Sequence, residues 1–97
     1  MNDWRQYLEK EEARHLAELF DFLRIPTVSA LPEHAADVRQ GADWLAARLR
    51  AAGVPTVELL ATGGSPLVYG RWAAEAQRPT ALIYGHYDVQ PPDPLAL

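Results

Sequence analysis

Five residues near the end of the sequence restrict the fold more than any others. Thr80-Ala81-Leu82-Ile83-Tyr84 is a continuous apolar run bounded by Pro79 and Gly85. A half-buried strand alternates apolar and polar residues, whereas a short unbroken apolar run between turn residues is the pattern of a strand buried on both faces. Such a strand expects a neighbour along each edge and cover over each face. That requirement points to an α/β arrangement.

The preceding residues supply the helices. Asn2 or Asp3 can cap a first helix reaching about Leu23, in which Leu16, Leu19, Phe20 and Leu23 stand at i, i+3, i+4 and i+7. Trp4, Tyr7 and Leu8 extend this stripe backwards, with Glu12 interrupting it. Ile25-Pro26 ends the helix, because a residue before proline avoids helical angles. A second helix is predicted from about Glu33 to Ala52, closed by Gly53. Its stripe of Ala35, Val38, Ala42, Leu45, Leu49 and Ala52 is half alanine, which suits close packing on a sheet and leaves Trp44 to one side. Val57-Glu58-Leu59 and Leu67-Val68-Tyr69 flank the turn residues Thr62-Gly63-Gly64-Ser65, the pattern of an antiparallel pair. The expectation is two helices followed by three strands in one α/β unit over residues 1–97, without repeat or linker. The ending Leu95-Ala96-Leu97 is apolar with nothing to pack on, so the chain reads as the first part of a longer domain.

Composition removes several functions. Thirteen acidic against nine basic residues give a net charge of −4, without the clustered positive charge of a nucleic-acid or anionic-membrane surface. The absence of Cys excludes disulfides, cysteine nucleophiles and thiolate-bound zinc. The opening MNDWRQYLEKEE is too charged for a signal peptide, and no apolar run approaches the ~18 residues of a membrane span. A cytoplasmic location is expected. Thr62-Gly63-Gly64-Ser65 lacks the Gly-Lys-Ser/Thr ending of a phosphate loop, and Ser29 and Ser65 have no base in any recognised serine-hydrolase order.

His86 and Asp88 remain as the informative pair. Alternate residues of an extended segment share a face, so Asp88 can accept from one imidazole nitrogen of His86 while the other nitrogen faces a metal. The position, just beyond the carboxyl end of a buried strand, is where ligand sites of open α/β sheets lie. A structural His–Asp pair explains the spacing equally well. His15 and His34 sit on the predicted helices with nothing aiming them at this strand end.

The longer word Tyr84-Gly85-His86-Tyr87-Asp88-Val89-Gln90-Pro91 resembles the first metal motif of the zinc exopeptidases that include carnosinase, aminoacylase, glutamate carboxypeptidase and acetylornithine deacetylase. The run on to Asp93-Pro94-Leu95 is most similar to the bacterial dipeptidase branch. Pro26-Thr27-Val28-Ser29, Trp44-Leu45-Ala46 and Thr62-Gly63-Gly64-Ser65-Pro66 stand where such dipeptidases have similar segments. The resemblance implies the start of a zinc-peptidase catalytic domain, with two zinc ions (or Co²⁺ or Mn²⁺) and an activated water that hydrolyses a small peptide or an N-acyl amino acid. It implies that His86 ligates one zinc and that Asp88 orients His86. A bridging Asp, a Glu general base, the other ligands and an inserted dimerisation domain have no matching positions in these 97 residues. The fragment alone is therefore expected to be inactive. The alternative is a non-catalytic α/β module that binds a partner through an open sheet edge.

Overall fold

A computed structural model of the chain describes residues 3–72 and 76–93. Asp3 caps the first helix, its carboxylate accepting the Arg5 N–H at 2.9 Å. The single helix expected here is two, α1 (Trp4–Lys10) and α2 (Glu12–Leu23), separated at Glu11. The ladder carries across the break, since the Glu11 N–H reaches the Tyr7 carbonyl and the His15 N–H reaches that of Glu11. Arg14 spans the junction by donating to Glu11 at 2.6 Å, Glu18 at 2.8 Å and the Tyr7 hydroxyl at 3.1 Å.

The apolar stripe of α2 does not become the core. Leu16, Leu19, Phe20 and Leu23 are all exposed, and α2 meets the next long helix through Glu18 and Phe22 instead. That helix is α3 (Ala35–Ala51), entered through a single 3₁₀ turn at Pro32–His34. Glu18 pairs with Arg48 at 2.8 Å, and the Phe22 and Trp44 rings lie 5.3 Å apart. Trp44, which sequence spacing left off the stripe of its helix, is therefore the aromatic contact between α2 and α3. The reason is geometric: a helix that meets one other helix uses a strip one or two side chains wide, and the rest of its apolar face stays open.

Helix α3 buries Val38, Gly41, Ala42 and Ala46. It ends as its sequence requires, with Gly53 at φ 95°, a left-handed conformation that glycine adopts without penalty. The chain then forms an antiparallel hairpin of β1 (Thr56–Leu60) and β2 (Leu67–Arg71), in register from Thr56↔Arg71 to Leu60↔Leu67. Its loop is closed by the Thr62 hydroxyl, which accepts the Gly64 N–H and donates to the Ser65 carbonyl, with Gly63 at φ 84°. The hairpin packs on α3, and Leu49 and Val54 close over Gly70. The small core lies where α3 meets the segment after α2: Ile25, Thr27, Val28, Val38, Ala42 and Ala46.

The third strand expected at Thr80–Tyr84 does not form. No sheet pairing involves these residues, and Leu82, Ile83 and Tyr84 are 93, 92 and 88 % exposed. A sequence suited to burial on both faces needs edge partners and cover, and among the described residues α3 is already committed to the hairpin. Among the described residues the sheet is two-stranded. Leu95 and Leu97 lie outside the described residues.

Gly41 has no room for a side chain in this packing. A Cβ there would stand 2.5 Å from Cγ2 of Thr27, a side chain only 2 % exposed. Thr27 cannot swing aside without losing the 2.8 Å bond from its hydroxyl to the Tyr87 carbonyl. Gly41→Ala would gain up to about 1 kcal/mol in helix propensity, whereas overpacking costs typically about 1–3 kcal/mol. The clash is expected to win, lowering the denaturant midpoint. Adding Thr27→Ser, which removes the offending methyl and keeps the hydroxyl, should recover most of the loss.

Candidate metal centre

Two short segments about sixty residues apart build the site. Val28 and Val89 form a parallel bridge, and the Val89 N–H donates to the Thr27 carbonyl at 3.0 Å. The Thr27 hydroxyl donates to the Tyr87 carbonyl, so this buried threonine grips the His86–Asp88 segment at two points. Tyr87 turns inward: its ring lies beside Gly41 and its hydroxyl donates to the Pro66 carbonyl at 2.6 Å. Burial, and then the charge of Asp88, push the Tyr87 phenol above its ordinary pKa.

With Tyr87 inward, its neighbours meet on the outer side, as the alternation in the sequence predicts. His86 Nδ1 lies 2.9 Å from Asp88 Oδ1 and 3.2 Å from the Asp88 carbonyl. The other carboxylate oxygen, Oδ2, accepts from the Ser29 hydroxyl at 2.5 Å. The Ser29 bond first, and then the His86 bond, hold the Asp88 carboxyl below its usual range. Asp88 is therefore ionised near neutral pH and has no proton to give, which places the hydrogen of a neutral His86 on Nδ1. The Nε2 lone pair remains on a side chain that is 74 % exposed. This is the state in which an imidazole can bind a metal while a carboxylate fixes its orientation.

Ser29 is the contact that sequence reasoning missed. Thr27 and Ser29 are hydroxyl residues two apart after a helix-ending proline, which suggests a shared face. Nothing local says that this face meets an aspartate 59 positions away. The other histidines are engaged elsewhere: His15 lies against the Tyr7 ring, and His34 Nδ1 pairs with Asp37 at 2.7 Å.

The donor set fits one position of a divalent-metal site with nitrogen and oxygen ligands. Among the described residues no group of three His, Cys, Asp or Glu is placed to hold a metal ion. A depression of about 130 Å³ beside Ser29, reaching Val38, Arg39 and Ser65, falls short of the roughly 300–1,000 Å³ of small-molecule pockets. Among the described residues no helix is long and apolar enough to cross a membrane.

Two proteins similar to this chain are dipeptidases. The Cys-Gly metallodipeptidase DUG1 of Candida albicans is 28 % identical over 96 residues, an alignment covering 87 % of this chain and 20 % of that protein. The structure of the di-peptidase Dug1p from Saccharomyces cerevisiae matches with a TM-score of 0.82 at 23 % identity, over 90 % of this chain and 20 % of that one. The fold of this chain is thus that of a stretch of a dipeptidase, and the chain spans about a fifth of the length of these relatives. No family model matches the sequence.

Proposed function

We propose that this chain carries the first metal motif of a di-zinc metallopeptidase of the zinc exopeptidase family, and that the intact enzyme hydrolyses dipeptides or N-acyl amino acids. The observation that carries the reading is the oriented imidazole: His86 bonded through Nδ1 to an ionised Asp88, with no partner for Nε2 among the described residues. Similarity to two dipeptidases along about nine-tenths of the chain supports it.

In this reading His86 is a ligand through Nε2 and Asp88 is a positioning residue that sets the tautomer and basicity of His86. When bound, divalent ions supply Lewis-acid polarisation of the scissile carbonyl and lower the pKa of water. Oxygen and nitrogen donors without thiolate suit Zn²⁺, and also Co²⁺ or Mn²⁺. One imidazole is fewer than the three or so protein ligands of a catalytic zinc. The remaining ligands and a proton-transferring Glu are assigned to residues outside these 97, in a cytoplasmic and homodimeric enzyme.

Asp88→Asn tests the pairing. The amide is nearly the same shape, and its oxygen can still accept from His86, so the local fold should persist while the charge is lost. Metal affinity, read by competition with a chelator, and kcat/KM on a dipeptide should each fall about 10- to 100-fold. Wild-type values for both would show that the pair is only structural.

A further inference from the structure

Asp88 is held at both oxygens, and the second hold is built into the fold. Ser29 Oγ lies 2.5 Å from Asp88 Oδ2, at the short end for a hydroxyl on a carboxylate. Ser29 follows Val28 directly, and Val28 is fixed by its bridge to Val89 while the adjacent Thr27 grips Tyr87 and Val89. The hydroxyl is thus delivered by pinned backbone on one side to a carboxylate on equally pinned backbone on the other. His86 takes the opposite oxygen, Oδ1. A carboxylate gripped at Oδ2 keeps Oδ1 turned to the imidazole, whereas a solvent-facing one released from that grip can rotate away.

We propose that Ser29 is a positioning residue for His86: its hydroxyl locks the Asp88 carboxylate in the orientation that keeps the imidazole hydrogen on Nδ1 and Nε2 open to a metal. The inference rests on the reading of His86 as a ligand. It adds the segment Thr27–Ser29 to the parts that set the metal-binding nitrogen. The Asp88 carbonyl, 3.2 Å from Nδ1, is the fallback acceptor and limits the size of the effect.

The test uses the protein that carries this chain, metal-free and labelled with ¹⁵N at histidine and valine, at a pH where free imidazole is neutral. Ring ¹⁵N shifts and couplings report which nitrogen of His86 is protonated, and the Val89 amide, bonded to Thr27, reports that the two segments remain joined. Wild type should show His86 mainly as the Nδ1–H tautomer. Ser29→Ala and Ser29→Val should move the tautomer ratio toward Nε2–H by about three- to tenfold, the range of one net hydrogen bond. Ser29→Thr, the same shape as Val with the hydroxyl restored, should return it. Zn²⁺ affinity, titrated separately, should follow the same order.

An unchanged ratio in Ala and Val would overturn the proposal. So would a Thr variant displaced as far as Val, a comparison in which any loosening caused by side-chain shape cancels. Asp88→Asn, measured alongside, separates the two levels. If it shifts the tautomer while Ser29→Ala does not, Ser29 is dispensable and the ligand reading stands. If neither shifts it, the His86–Asp88 pairing fails together with the proposal.

Discussion

If the proposed di-metal peptidase reading holds, His86→Ala in the intact enzyme is expected to release one of two bound metal ions and reduce peptide hydrolysis to background. No neighbour can take over. The Tyr87 hydroxyl is turned inward onto the Pro66 carbonyl, His15 lies against Tyr7, and His34 is paired with Asp37. Asp88 would lose its imidazole partner but stay tied to Ser29. A surface-exposed side chain away from packing usually changes stability by no more than about 0.5 kcal/mol when replaced, and the His86 ring is largely exposed. Lost activity in this variant would therefore report lost metal, and an unchanged thermal midpoint of the metal-free protein confirms it. Elemental analysis giving two tightly bound zinc ions per chain in His86→Ala would remove His86 from the ligand set.

The parts of the fold that were legible in the sequence are those fixed by neighbours a few residues apart. Asp3 caps a helix, Gly53 ends one in the left-handed conformation, and Thr62-Gly63-Gly64-Ser65 turns a hairpin, each for reasons contained in the local chain. The shared side of His86 and Asp88 follows from backbone alternation and needs no tertiary knowledge. What failed was whatever depended on a distant partner. The Leu16–Leu23 stripe identifies an amphipathic helix but not what it faces, and α2 meets α3 through Glu18 and Phe22 instead. Trp44 falls off the stripe of its helix, and helical periodicity cannot show that Phe22 lies opposite. The contact of Ser29 with Asp88 is not legible in the sequence because it depends on a bridge between Val28 and Val89, a pairing 61 positions long. The apolar character of Thr80–Tyr84 is plain in the sequence, yet burial is a property of a segment together with its cover.

That uncovered run determines how the 97 residues behave on their own. Leu82, Ile83 and Tyr84 present almost their whole side chains to solvent, and Leu16, Leu19, Phe20 and Leu23 form a second exposed apolar face. The radius of gyration is 16.2 Å, against about 12.5 Å for a compact domain of this length. Burying a large aliphatic or aromatic side chain is worth roughly 1.5–3 kcal/mol, so two copies that cover each other's Leu82–Tyr84 gain several kcal/mol. The net charge of −4 opposes this only weakly, because at physiological salt the repulsion between dispersed charges is screened beyond about 8 Å. Unpaired backbone beside apolar side chains favours edge-to-edge association. The isolated chain is thus expected to sediment as concentration-dependent oligomers, and to hydrolyse no dipeptide when supplied with zinc, since one imidazole does not complete a catalytic site. Leu82→Lys combined with Ile83→Lys should restore a monomer without lowering stability, because neither side chain packs on anything among the described residues. Oligomers that persist in the double variant would transfer the association to the α2 face. A monodisperse wild-type chain that unfolds cooperatively and cleaves dipeptides with zinc would overturn the prediction, and with it the assignment of the missing ligands to residues outside this sequence.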